Sequence, residues 1–423
     1  MDESIRNEQG KAAIFNQKEI LKQQQGKIEE AKALTQKSLK TCSANNMAQD
    51  EALALHNMAG IYAQQGQIDQ AIALYQQSLA INESIGNIQG KAVTLHNMAD
   101  IYALQGQIDQ AIAFYQKSLE ITDRLDNVQI KAVTLHNMAD IYALQGQIDQ
   151  AIALYQQSLE ITDRLGDVET QATTLHQMAI IYTQQGHIDQ AINLYQQVAE
   201  IDELTGNVEG KAATLHQIAG IYMQQGQVDQ AIDLYQQSLE IKECIGDLYG
   251  KAATLHQIAI IYAQQGQIDQ AIALYQQSLE IQESIGNMQG KASTLHQMAG
   301  IYTQQGQIDQ AIALYQQSLE IKESIGDVQG KAATLHQMAI IHTQHGQVDQ
   351  AIALYQQVAE IDELTGNMQG KAYTLANMGD LLANNGDFQS AISYLQESLT
   401  ILQHLKSPDA ATVQSWLEEV RAM

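Results

Sequence analysis

Between Ala292 and Gly306 the apolar residues fall at Leu295, Met298, Ala299 and Tyr302. That i, i+3, i+4, i+7 spacing is the stripe of an amphipathic helix, and Gly306 supplies the left-handed residue on which helices often end. A second stripe follows at Ile308, Ala311, Ile312, Tyr315 and Leu319, with Ile325 beyond it, and stops at Gly326. Asp309 lies in the first turn of this second element, where a carboxylate favours the helix dipole. The pattern predicts a first helix of about 14 residues and a second near 17, the latter roughly 25 Å long. Only Gly306 and Gln307 separate the stripes, so the two helices must fold back as an antiparallel hairpin.

The pattern repeats. "TLHQMAGIYTQQG" at 294–306 returns, lightly edited, from Thr94, Thr134, Thr214 and Thr334, a fixed beat of forty residues. Blocks starting at Lys11, Glu51, Lys91, Lys131, Gln171, Lys211, Lys251, Lys291, Lys331 and Lys371 make ten units, with a lead-in before them and a tail from about Ser407. One hairpin cannot bury both of its stripes, so each needs a neighbour, and stacking them makes a solenoid. The blocks from Lys91 and Lys131 differ at six places, and "VAEIDELTGN" at 198–207 returns at 358–367. Duplication of this kind preserves a surface while changing its length, which suits a scaffold better than a single catalytic pocket. The first unit carries Lys18, Glu19 and Lys22 where buried residues belong, and Thr35 where the others have tyrosine; it reads as a polar cap. After Pro408 the tail presents Val413, Trp416, Leu417 and Val420 on one side, a helix expected to close the last hairpin.

Counted from Ala292, the residues Leu295, Met298, Ala299, Tyr302, Gly306, Ala311, Tyr315 and Ser318 match the signature of the tetratricopeptide repeat in order and without a gap. The sequence resembles that family from residue 11 to about 405. Its units are forty residues rather than 34, lack the family's proline after the second helix, and gain about a turn in "IKESIGDVQGKA". The longer form is similar to the repeats of kinesin light chain and of the partner-of-inscuteable adaptors, which hold peptide segments of other proteins. The resemblance implies an all-α fold, an α-α superhelix: a right-handed solenoid of about ten stacked helix hairpins with a C-terminal capping helix. The expected divisions are a lead-in at 1–10, a divergent capping repeat at 11–50, nine repeats at 51–406 and the capping helix at 407–423.

In that family the first helix of each hairpin lines the concave surface. With the apolar stripe turned inward, the far side of the helix carries Ser293, His296, Gln297, Gly300, Thr303 and Gln304, and the resemblance places these on the inner wall. Stacking turns each position into a ladder: His56, His96, His136, His176, His216, His256, His296 and His336 form one, and Asn57, Asn97, Asn137, Gln177, Gln217, Gln257, Gln297, Gln337 and Asn377 the next. A side-chain amide both donates and accepts, which suits it to grip an extended peptide backbone; Asn serves so in relatives, and Gln is longer and looser. The other reading of the ladders is a tolerated polar face copied along with everything else. Selectivity is expected from the position four beyond the histidine, which is Gly60, Asp100, Asp140, Ile180, Gly220, Ile260, Gly300, Ile340 and Asp380 in turn. With an ordinary imidazole pKa near 6.5, exposed histidines would charge as pH falls, so affinity for an acidic peptide is expected to rise between about pH 7.5 and 6.

Composition narrows the remaining choices. Forty-eight acidic against 22 basic residues leave a formal charge of −26, which disfavours nucleic acid. Much of it sits on an outer face (Asp309, Gln310, Gln316, Gln317, Glu320, Glu323) that reads as solvated. A single proline, Pro408, and abundant Ala, Leu, Ile and Gln favour helix throughout. Two cysteines, Cys42 and Cys244, are too few for a disulfide framework. No run approaches the roughly 20 apolar residues of a membrane span, and the N-terminus has no signal-peptide core; a cytoplasmic protein with no membrane partner is expected.

"GNIQGKA" from Gly86 imitates a phosphate loop but is one residue short and lacks the Ser/Thr for magnesium. The i, i+4 pairs His96/Asp100 and His136/Asp140, and His342 with His345, give two ligands each, too thin for a metal site. No catalytic residues, cofactor or metal are therefore expected. The sequence points to a non-enzymatic scaffold holding an extended or helical segment of a protein partner in its groove. A structural array that self-associates end to end, or the regulatory sensor part of a larger system, stay open beside it.

Overall fold

The computed structural model describes residues 18, 22, 26–45, 47–125 and 128–423, which hold twenty α-helices and no strand. The 1–10 lead-in and most of the first part of the expected capping repeat, Glu19 included, lie outside the described residues. The chain forms two compact units, Met1–Asn207 and Val208–Met423.

In the first unit α1 (Ile28–Ala44) precedes four hairpins: α2 (Ala48–Gln64) with α3 (Ile68–Ser84), α4 (Ile88–Leu104) with α5 (Ile108–Leu125), α6 (Val128–Leu144) with α7 (Ile148–Leu165), and α8 (Val168–Gln184) with α9 (Ile188–Thr205). The second holds five: α10 (Val208–Gln224) with α11 (Val228–Ile245), α12 (Leu248–Gln264) with α13 (Ile268–Ser284), α14 (Met288–Gln304) with α15 (Ile308–Ile325), α16 (Val328–Gln344) with α17 (Val348–Thr365), and α18 (Met368–Asn384) with α19 (Phe388–His404). It closes with α20 (Ala410–Ala422). Within each unit consecutive hairpins stack side by side in an all-α solenoid. The first helix of a hairpin is called A and the second B.

Both loops of the repeat are short, and each has a local cause. At the A-to-B turn Gly306 takes φ +74, its N–H reaches the Thr303 carbonyl at 3.0 Å, and the Gln307 N–H reaches that of Tyr302 at 2.8 Å. These two bonds satisfy carbonyls that the helix end would otherwise orphan. At the B-to-A turn Gly326 is again left-handed, and Asp327 then caps the next helix by accepting from the Gly330 N–H at 2.8 Å. A Cβ on Gly330 would lie 2.0 Å from the Asp327 carboxylate, so a larger residue needs that side chain to shift, as at Thr170, whose N–H still reaches Asp167 at 3.2 Å.

That cap explains why the A helices run 17 residues rather than about 14. Asn287, Asp327 and their equivalents start the helix well before the apolar phrase. The added turn in "IKESIGDVQGKA" is thus helical. It also accounts for the phosphate-loop imitation: Asn87 is the N-cap of α4, and Lys91 is ion-paired with Glu83 at 2.7 Å.

Seven of the nine hairpins are closed by a serine. In the B helix Ser318, fully buried, donates to the Ala292 carbonyl of its own A helix at 2.8 Å. The same bond recurs at Ser78, Ser118, Ser158, Ser238, Ser278 and Ser398, at 2.7–2.9 Å. Alanine opposite serine lets the two backbones come close, and the buried B-helix tyrosine, 2% exposed at Tyr315, fills the rest.

Three details differ from the pattern reading. Ile301 is buried while Tyr302 is only half-buried, because the stripe is wide enough to take in the residue beside it. Ile325 stays 39% exposed, since the buried B-helix row runs Tyr315, Ser318, Lys322. On α20, Val413, Leu417 and Val420 pack inward, which swings Trp416 to the flank, 37% exposed. Thr35 does occupy the tyrosine place, fully buried with its hydroxyl on the Ala31 carbonyl.

Replacing Ser318 by alanine removes one buried inter-helix bond, worth about 1 kcal/mol. Hydrogen exchange in α14 and α15 should quicken by about fivefold with the other hairpins unchanged; unchanged exchange there would refute the clamp.

Candidate functional site: the histidine face of the A helices

In six of the eight repeats that carry it, the histidine is a clasp to the next A helix, half-buried or buried. His56 Nδ1 lies 3.2 Å from Thr94 Oγ1 of the next A helix. The same contact joins His96 to Thr134, His136 to Thr174, His216 to Thr254, His256 to Thr294 and His296 to Thr334, at 2.9–3.1 Å. On its other side each of the eight rings packs edge-on or tilted against the tyrosine of its own B helix, as His296 does on Tyr315 with centroids 5.1 Å apart.

Proton accounting fixes the ring's state. Thr334 Oγ1 donates its only proton to the Gly330 carbonyl at 2.9 Å, as Thr94, Thr134, Thr174 and Thr254 do to theirs at 2.7–2.9 Å. The oxygen is then an acceptor, so His296 Nδ1 must carry the hydrogen. In the first unit His56 Nε2 in turn accepts from Asn97 Nδ2 at 2.9 Å.

Burial pushes the imidazoles of His56, His216, His256 and His296 down to about 4, with nearby Lys242 and Lys322 lowering His216 and His296 further. His176 and His336 are also lowered by burial, against a smaller pull from Asp202 and Asp362. At His96 and His136, which are 9% and 7% exposed, burial lowers the pKa and Asp100 and Asp140 oppose it. The expectation of exposed rings charging between pH 7.5 and 6 is corrected: burial disfavours the cation at all eight rings, and His56, His216, His256 and His296 stay neutral across that range.

The amide ladder divides. Asn97 is engaged with His56, and Asn137 Nδ2 donates to Asp100 Oδ1 at 2.9 Å, an oxygen that also accepts from the Tyr115 hydroxyl. Tyr155 bonds Asp140 in the same way. In the first unit these carboxylates and amides are largely occupied with the protein itself. In the second, Gln217, Gln297 and Gln337 are exposed and Gln257 half-buried, and none makes a side-chain bond among the described residues. Asn57, Gln177 and Asn377 are half-buried. Among the described residues no group of three or more His, Cys, Asp or Glu is placed to hold a metal, and no helix is long and apolar enough to cross a membrane.

Pattern reading missed one position, the B-helix residue twelve before the threonine: Asn82, Thr122, Thr162, Asp202, Lys242, Gln282, Lys322 and Asp362. It is buried in every one of these repeats. Lys322 Nζ reaches Thr334 Oγ1 at 2.8 Å, and Lys242 reaches Thr254 at 2.9 Å, so those hydroxyls make one donated and two accepted bonds and are saturated. Gln282 leaves its carbonyl oxygen buried without a partner. The signal was available, since this residue stands four after the buried serine and so shares its face.

The architecture is a helix-hairpin repeat array. The sequence pattern of the tetratricopeptide repeat matches residues 11–84, 50–124, 130–203, 210–284 and 290–363, and a second form of it matches 372–405. The chain belongs to the tetratricopeptide repeat family. No curated protein sequence matches it. Among solved structures it is similar to a signal-transduction ATPase with numerous domains that carries a tetratricopeptide repeat sensor, from Pyrococcus horikoshii. The two are 19% identical over 76% of this chain and 49% of that one, with a TM-score of 0.54; this chain therefore spans about half the length of that ATPase, and the likeness is one of fold. A kinesin light chain repeat protein from Podosopora anserina aligns at 24% identity over 46% of this chain and 95% of its own, TM-score 0.40. BtubC from P. vanneervenii aligns at 19% over 51% and 88%, TM-score 0.45.

Because folded His56, His216, His256 and His296 hold pKa values near 4 and unfolded histidines near 6.5, unfolding takes up protons between those limits. Stability is complete above pH 6.5 and falls as pH drops toward 4, by at most about 1.4 kcal/mol per histidine per pH unit. His296→Gln should flatten the slope of melting temperature against pH across that window; a variant slope equal to that of the parent would refute the clasp.

Proposed function

We propose that the protein is a non-enzymatic scaffold whose A-helix face holds an extended or helical segment of a partner protein. Membership of the tetratricopeptide family supports this, because the fold is generally a non-catalytic interaction scaffold. The observation that carries it is the row Gln217, Gln257, Gln297 and Gln337, four amides at a fixed interval without side-chain bonds among the described residues. Each offers an N–H and a carbonyl to a passing peptide backbone, whatever its sequence. The histidines take no direct part in this reading. They hold successive A helices in register, so that the glutamines present a continuous strip, while Asp100, Asp140, Asn97 and Asn137 stiffen the corresponding strip of the first unit.

The test separates grip from scaffold. Gln257, Gln297 and Gln337 are changed together to alanine with the histidines untouched, and peptides selected on the parent chain from a random displayed library are titrated into both. A loss of tenfold or more is expected, with exchange protection by bound peptide confined to the A helices. Equal affinity, protection on the B helices, or concentration-dependent self-association that competes with peptide would contradict the proposal.

A further inference from the structure

The clasp is open at one place in the second unit. His336 and Thr374 stand where His296 and Thr334 stand one repeat earlier, yet make no hydrogen bond to each other or to any other side chain among the described residues. Between them is a cleft of about 700 Å³, lined by His336, Val358, Asp362, Asn367, Thr374 and Asn377 among others. Two substitutions in "VAEIDELTGN" create it. Val358 replaces the clamping serine, which removes the bond that draws α16 and α17 together, and Asp362 replaces the lysine that fills the same space beside Thr334.

The cleft is polar and has the wrong number of donors for itself. Asp362 is 6% exposed and accepts from Asn367 Nδ2 on one oxygen at 2.8 Å. Thr374 is 2% exposed, and its hydroxyl makes no hydrogen bond among the described residues. The adjoining lysine, Lys371, is occupied by Glu363 and Glu397 at 3.0 and 3.2 Å. A buried carboxylate, a buried hydroxyl and an imidazole thus surround a space in which no described residue places a cation. The preceding repeat shows what fits there: an ammonium, held by the threonine next to the histidine. The duplicated segment in the first unit places Asp202 beside a similar cleft of about 630 Å³.

We propose that the Asp362 cleft receives the side-chain ammonium of a lysine in the bound partner segment, in the position that Lys322 Nζ occupies one repeat earlier. The inference rests on the groove reading and adds to it a preference for a basic residue at one register. Charge agrees, since a chain of net −26 attracts a basic segment.

The test uses the full chain labelled with 15N at histidine and titrated with N-acetyl-lysine methylamide. A saturable shift confined to the His336 resonance, assigned through His336→Gln, is expected. The uncharged norleucine analogue should give none, and Asp362→Asn should weaken the response by about tenfold or more, the loss of one charge-assisted bond. Asp362→Lys rebuilds the arrangement of the preceding repeat, so it should keep its helicity while abolishing the shift. No saturable shift, an equal response to norleucine, or full binding by either Asp362 variant would overturn the assignment. The probe does not span the glutamine row, so the triple glutamine variant should bind it normally. Failure of the groove reading is thereby distinguished from failure of the cleft.

Discussion

The structure depends on one hydrogen bond, from a histidine Nδ1 to the threonine hydroxyl of the following hairpin. The threonine gives its own proton to its helix backbone, so its oxygen can only accept, and this places a hydrogen on Nδ1 of the ring while burial disfavours its cation. A tyrosine from the histidine's own B helix packs on the ring and removes it from water. Three elements of two neighbouring repeats therefore meet on a single imidazole. In an array whose stability is a sum of units and their interfaces, such a contact decides whether neighbours stack in one register.

With register held in this way, variation at a single buried B-helix position changes the character of the interface without changing the fold. Lysine saturates the threonine, glutamine leaves a carbonyl unpaired, and aspartate with valine at the serine position opens a cleft. The serine clamp and the histidine clasp recur in most repeats, and the polar residue between them varies more. Blocks copied along the chain carry their version with them, which is why "VAEIDELTGN" brings a cleft to both of its sites.

Much of the fold was legible because its signals are local. The stripe through Leu295 and Met298, the left-handed Gly306 and the forty-residue beat are enough to give hairpins that must stack. The early start of the A helices was not, since it depends on Asn287 or Asp327 turning its side chain back onto a glycine N–H three residues on. The histidine and amide ladders were legible as sequence positions, but the surroundings of the histidines were not: a helical wheel shows only which way a side chain leaves its own helix. His296 leaves toward the open side and is then covered by Tyr315 and the Thr334 helix, neither of which the wheel contains. Lys322 was missed because a charged residue on a B helix reads as solvated until the neighbouring threonine is in place.

The central claim is that these rings are neutral linkers rather than charged groove contacts. Long-range 15N–1H correlation spectra of the full chain report, for each imidazole, which nitrogen is protonated and at what pH it titrates. The account predicts that His296 holds its proton on Nδ1 and stays neutral at pH 6, titrating near 4. A ring that averages between tautomers and titrates near the ordinary value of about 6.5 would contradict it.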